Sequence, residues 1–151
     1  STYMRAEGSL GQSLFAGALP SEPDPLTGDR TIPSNYRFLK MAGSDVFRFT
    51  ATAVPESIDN ALSRAGLEAG DIDWFVLHQA NLRILKMVTD RYGLDPEKVY
   101  VNIDRFGNTS SASIPLCLAE MKEKGLLKPG QTIVASGFGG GLTYGAIVIK
   151  L

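Results

Sequence analysis

The chain has 151 residues, 44% of them hydrophobic and 21% charged, with a formal net charge of −1. That length sustains one domain with a sizeable core, and the composition excludes a disordered or fibrous chain. Near-neutral charge argues against general nucleic-acid binding, which rests on neutralising phosphates, and no apolar run approaches the length of a membrane span.

The one cysteine, Cys117, excludes an internal disulfide and suits a reducing cytoplasm. Ser1 to Gly8 lacks the basic-then-apolar pattern of a secretion signal. Position 1 is not methionine, which fits processing or a cut from a longer chain.

The elements follow in chain order. Leu14 to Leu19 reads as a short strand, and Ser21 to Asp29 as a loop punctuated by Pro and Gly. Tyr36 to Met41 reads as another strand, ending at Gly43. Ser44 offers a helix N-cap, with Asp45 in the first turn. Phe47, Val54, Ile58, Ala61 and Ala65 then recur at near-helical spacing, with a kink or break expected at Pro55 and an end at Gly66.

Asp73 to Leu77 is a compact apolar run with aromatic and β-branched residues, predicting a buried strand. Asn81 can cap the next helix, which places Leu82, Leu85, Val88 and Tyr92 on one face and ends at Gly93. Val99 to Val101 is a short strand candidate. Thr109-Ser110-Ser111 opens another helix, with Ile114, Cys117, Leu118 and Met121 on its apolar face and Pro115 tolerable only in the first turn. Thr132 to Ser136 and Leu142 to Ile149 flank a glycine-rich turn and predict a terminal β-hairpin. Strands alternating with helices imply a layered α/β domain.

Three places can carry chemistry. His78, the only histidine, follows a buried strand, and a residue there faces the crevice where ligands bind in open α/β sheets. A neutral imidazole can donate to a developing oxyanion; a structural histidine at a strand end fits the spacing equally well. Asn108 sits in Phe106-Gly107-Asn108-Thr109-Ser110-Ser111, where its amide could donate to a substrate carbonyl, although locally it reads as a cap or turn residue. Phe138-Gly139-Gly140-Gly141 could offer backbone N–H groups to an oxyanion, or be a plain hairpin turn. Cys117, inside an apolar helix face, reads as packing. Arg83, Lys86 and Arg91 form a solvated helix face or a landing site for phosphates and acidic partners.

His78-Gln79-Ala80-Asn81, then Asn102 to Ser113, then Gly137 to Gly145 occur in an order and spacing similar to the C-terminal half of the β-ketoacyl-acyl-carrier-protein synthase III family. Met41-Ala42-Gly43 followed by Val46-Phe47 matches the family upstream. The resemblance implies a thiolase-like half, a βαβαβαββ unit with a mixed sheet and helices on both faces, over residues 1–151. It implies a condensing acyltransferase of fatty acid synthesis, cytoplasmic and homodimeric, that joins an acyl-CoA starter to malonyl-acyl-carrier protein without cofactor or metal.

By the same resemblance a cysteine in the first half, absent here, accepts the acyl group. His78 and Asn108 hold the malonyl thioester carbonyl, the Gly140 N–H helps form the oxyanion hole, and Phe138 borders the thiolate and guides substrate. Gly43, Ser44, Phe47, Ala80 and Arg83 fall in the part that meets CoA or the carrier protein, Arg83 matching a carrier-docking residue. Ser44 stands where some relatives carry an Asn on the CoA pantetheine; serine keeps a donor and an acceptor with shorter reach. Two other readings are compatible: a non-catalytic module that binds a carrier protein or dimerises, and an acyltransferase of secondary metabolism.

Overall fold

The structure is a computed structural model that describes residues 1–16 and 39–151. The predicted loop at 21–29, and the parts of its two flanking strands at 17–19 and 36–38, lie outside the described residues.

Side-chain alternation in β4 (Trp74–Leu77) sets the architecture. Phe75 and Leu77 point to one side and Val76 to the other, and all three are buried, so this strand is covered on both faces. It pairs in parallel with β5 (Thr132–Gly139), Phe75 opposite Val134. β5 turns back into antiparallel β6 (Thr143–Lys150), giving the predicted hairpin. The sheet order is β1 (Thr2–Ala6)-β6-β5-β4. A small separate hairpin joins β2 (Leu14–Ala16) and β3 (Leu39–Met41).

The helices divide between the faces. α1 (Gly43–Ala65) and α2 (Leu82–Tyr92) cover the side of Phe75, Leu77, Val134 and Val148. α4 (Ser113–Glu123) covers the side of Val76 and Ile133, with Cys117 and Met121 fully buried against them. Pro115 falls in its first turn, where its missing N–H is harmless. The expected strand at Val99–Val101 shrinks to a single parallel bridge between Phe75 and Val99. Counting that bridge and setting aside the β2–β3 hairpin and the short helices, the chain order is βαβαβαββ, the thiolase-like half.

Four local expectations need correction. α1 starts one residue before Ser44, because Asp45 and Val46 donate back to the Ala42 carbonyl, so Ser44 is not its cap. Pro55 does not break α1, which runs through it as one helix. The proline costs about 3 kcal/mol in a helix interior. Burying Val54, Ile58 and Leu62 against the sheet gains about 1.5–3 kcal/mol each, which outweighs that cost. On α2, Leu82 is exposed and Ile84 is buried in its place. β6 begins at Thr143, so buried Leu142 belongs to the turn.

β1 (Thr2–Ala6) had no local signature. It is held by distant partners: β6 along its length, the Tyr3 hydroxyl donating to Glu56 at 2.6 Å, and Arg64 donating to the Thr2 carbonyl at 2.8 Å. α1 ends at Gly66 and α2 runs from an Asn81 cap to Gly93, as read from the sequence. Among the described residues no helix is long and apolar enough to cross a membrane.

Candidate active site

His78 extends the parallel β4–β5 pairing by one bond: its N–H donates to the Ser136 carbonyl at 2.9 Å. The side chain therefore emerges at the carboxyl end of two parallel strands, where a crevice opens in α/β sheets. Its Nδ1 lies 2.6 Å from the Ser113 hydroxyl, and its ring packs edge-on against Phe138 with centroids 5.1 Å apart. Burial disfavours the imidazolium and holds the pKa below the usual histidine value, which keeps the ring neutral at pH 7.

Asn108 sits in the connection between the short α3 (Ile103–Phe106) and α4. Gly107 has φ 66° and ψ −160°, a combination open essentially to glycine alone. Past that bend, the Asn108 Oδ1 accepts from the Ser110 N–H at 3.0 Å. A backbone N–H can only donate, so the facing atom is the oxygen. The amide's two N–H donors are not used in this bond, and the residue is exposed.

Four residues that the sequence reading gave no role lock this arrangement. Gln79, buried, donates to the Leu77 and Tyr100 carbonyls and accepts from the Asn102 N–H. Asn102 passes the connection to Glu120 at 3.1 Å and accepts from the Cys117 thiol at 3.2 Å. Glu120 receives both guanidinium nitrogens of Arg105, one at 2.8 Å, and the Lys124 ammonium at 2.7 Å. The Arg105 bonds above all hold its carboxyl well below the usual range. Ser113 completes the set behind His78. Gln79, Asn102 and Ser113 lie inside the quoted motifs, but nothing in their spacing shows which side chains turn inward.

One groove of about 1660 Å³ is lined by His78, Asn108, Phe138, Gly140, Gly43, Ser44, Phe47, Ala80 and Arg83, whereas Lys86, Arg91 and Gly141 are not among its lining residues. That volume exceeds the roughly 300–1,000 Å³ typical of a pocket for one small ligand. Exposed apolar residues continue along it, with Met4 84% and Leu39 69% exposed. A side chain at Gly140 would come within 3.2 Å of the Leu14 carbonyl, so the turn passes close to the β2–β3 hairpin.

Among the described residues no Asp or Glu lines the groove, whereas Arg5 and Arg83 do. Lys86 pairs with Asp90 and Arg91 with Asp59, but Arg83 has no ion pair among the described residues. Cys117 is not among the residues that line the groove: it is buried beneath α4 against Val76 and Ile133, and burial pushes its thiol up to about 11. The groove thus offers neutral hydrogen-bond donors beside a cationic margin.

The model of the 3-oxoacyl-[acyl-carrier-protein (ACP)] synthase III C terminal matches residues 62–151. The beta-ketoacyl-[acyl-carrier-protein] synthase III of Microcystis aeruginosa is 47% identical over 148 residues, covering 97% of this chain and 44% of that protein. The solved structure of the synthase III of Thermus thermophilus is 38% identical, with a TM-score of 0.86, covering 100% of this chain and 45% of that one. The priming beta-ketosynthase of the R1128 polyketide biosynthetic pathway is 35% identical, with a TM-score of 0.81, over 99% of this chain and 44% of that one. The chain spans less than half the length of each of these relatives.

Proposed function

The chain belongs to the 3-oxoacyl-[acyl-carrier-protein] synthase III family, and from that premise we propose that it is the C-terminal half of a condensing acyltransferase. The enzyme joins an acyl-CoA starter to malonyl-acyl-carrier protein at the start of fatty acid synthesis. One observation carries the reading: His78, Asn108, Phe138 and Gly140 line a single groove, and the first two each have one polar atom tied down and donors to spare.

The chemistry follows from those donors. Loss of carbon dioxide leaves the carbon–carboxylate electron pair on the malonyl unit, as an enolate. Its oxygen takes hydrogen bonds from the neutral imidazole and the Asn108 amide, which stabilise charge already aligned to receive it. Neutral donors suit this task, because an imidazolium could protonate the carbanion. The carbanion then attacks an acyl thioester on a cysteine of the first half, and the thiolate leaves. The Gly140 N–H serves the tetrahedral oxyanion, and Phe138 flanks the approach. The first half packs along the exposed apolar stretch of the groove, which fits both its size and the length of the relatives. Arg83 and its neighbours Gly43, Ser44, Phe47 and Ala80 form the mouth for CoA or the carrier protein. The reading carries with it a cytoplasmic homodimer that needs no cofactor.

A test recombines the chain with the nucleophile-bearing half and follows malonyl-thioester decarboxylation. His78→Ala and Asn108→Ala should each lower kcat by about 10²–10³, the usual loss for one oxyanion donor, with little change in KM. Wild-type rates in both variants would reject the reading. Likeness to the R1128 priming enzyme favours a second setting for the same chemistry, in polyketide priming. Product analysis with competing starters separates the two.

A further inference from the structure

The hydrogen bonding around Ser113 decides a question that the groove alone leaves open: which imidazole nitrogen of His78 carries the proton. Ser113 is the first residue of α4 and is 2% exposed. Its hydroxyl has two partners among the described residues. One is the Gln79 N–H, at 3.4 Å, which can only donate. The other is the His78 Nδ1, at 2.6 Å. The hydroxyl proton therefore has a single acceptor within reach, and that acceptor is Nδ1. Were Nδ1 protonated instead, two donors would converge on the Ser113 oxygen and its own proton would be buried without a partner, a costly arrangement.

We infer that Ser113 is a positioning residue that fixes His78 in the tautomer with a bare Nδ1 and its proton on Nε2, the nitrogen left free to serve the groove. The phenyl ring of Phe138 packs edge-to-face with the imidazole, and Gln79 holds the strand end through its bonds to Leu77, Tyr100 and Asn102. α4 adds to the effect, since the positive end of its dipole lies at Ser113 and opposes an imidazolium there. The tautomer stands on hydrogen bonding alone. Its catalytic consequence, a correctly aimed N–H for the enolate oxygen, rests on the function proposed above.

The test exploits His78 being the only histidine. With ¹⁵N-labelled imidazole in the full 151-residue chain, long-range ¹H–¹⁵N correlations report one ring. The wild type should show a bare Nδ1 and a protonated Nε2, with the other tautomer below detection. In Ser113→Ala the Nδ1–H form should rise above detection, and Ser113→Thr, which keeps the hydroxyl, should restore the wild-type pattern. A proton on Nδ1 in the wild type, or an unchanged ratio in Ser113→Ala, would overturn the inference. If Ser113→Ala fails to fold, a proton on Nδ1 in the wild type still overturns the inference.

A second arm uses the chain recombined with the nucleophile-bearing half. Ser113→Ala should lower kcat for decarboxylation at least tenfold with KM held, and Ser113→Thr should recover it. A shifted tautomer with unchanged decarboxylation would leave the role of Ser113 intact and remove His78 from the proposed reaction.

Discussion

At the scale of single residues, His78 shows how a fold sets a protonation state without a charged partner. Burial holds its pKa below the ordinary histidine value. In the unfolded chain the ring titrates near 6.5. As pH falls through that value the unfolded state takes up a proton first, so stability is lost from there down toward the folded pKa. The stabilising contribution is complete above the unfolded value. Titration of the imidazole should give a midpoint below 6.5 in the native chain and the ordinary value in denaturant. Thermal unfolding between about pH 7 and about pH 5 should show a loss that His78→Gln lacks. The direction matches the proposed chemistry, which requires a neutral ring at working pH.

At the scale of elements, the connection from α3 to α4 does most to shape the site. It carries Asn108 over a backbone bend that Gly107 alone tolerates, and Glu120 on α4 anchors its base through Arg105 and Asn102. The space at Gly107 is open, so a methyl group there meets nothing; only the backbone objects. Gly107→Ala should therefore cost about 1–3 kcal/mol of stability, read by denaturant unfolding. Asn108→Ala, which leaves the bend unchanged, should cost much less. In the recombined enzyme Gly107→Ala should also lower decarboxylation, because the amide no longer sits where its donors are needed.

At the scale of the whole molecule, the groove is larger than a small ligand needs and is bordered by exposed apolar side chains. The chain is under half the length of its relatives, and under the function proposed above those residues are where the first half would pack. Alone, the chain given acetyl-CoA and malonyl-acyl-carrier protein should yield no 3-ketoacyl product, and product should appear when the first half is added. Turnover by the isolated chain would contradict the assignment of the nucleophile to the other half. Calorimetry with acyl-carrier protein should show weaker binding for Arg83→Glu, since Arg83 lines the groove margin without an ion pair among the described residues. Tight binding by the isolated chain, lost in that variant, would instead favour the docking-module reading.

The sequence by itself determined the parts that local chemistry governs. The apolar run at Trp74–Leu77, the Asn81 cap, the Cys117 face of α4 and the terminal hairpin are each specified by neighbours a few residues away. His78 and Asn108 were visible as residue types in a recognisable order, but their spacing left each open between a donor and a structural role. Only the tertiary structure brought them to one groove, because that requires strand ends and helix connections 30 residues apart to meet. It also decided β1, whose bonds go to β6 and α1, and the continuity of α1 through Pro55, which burial against the sheet enforces. The orientation of the His78 proton belongs to the same class. It is set by a hydroxyl 35 residues away in the chain and 2.6 Å away in space, a distance no local pattern encodes.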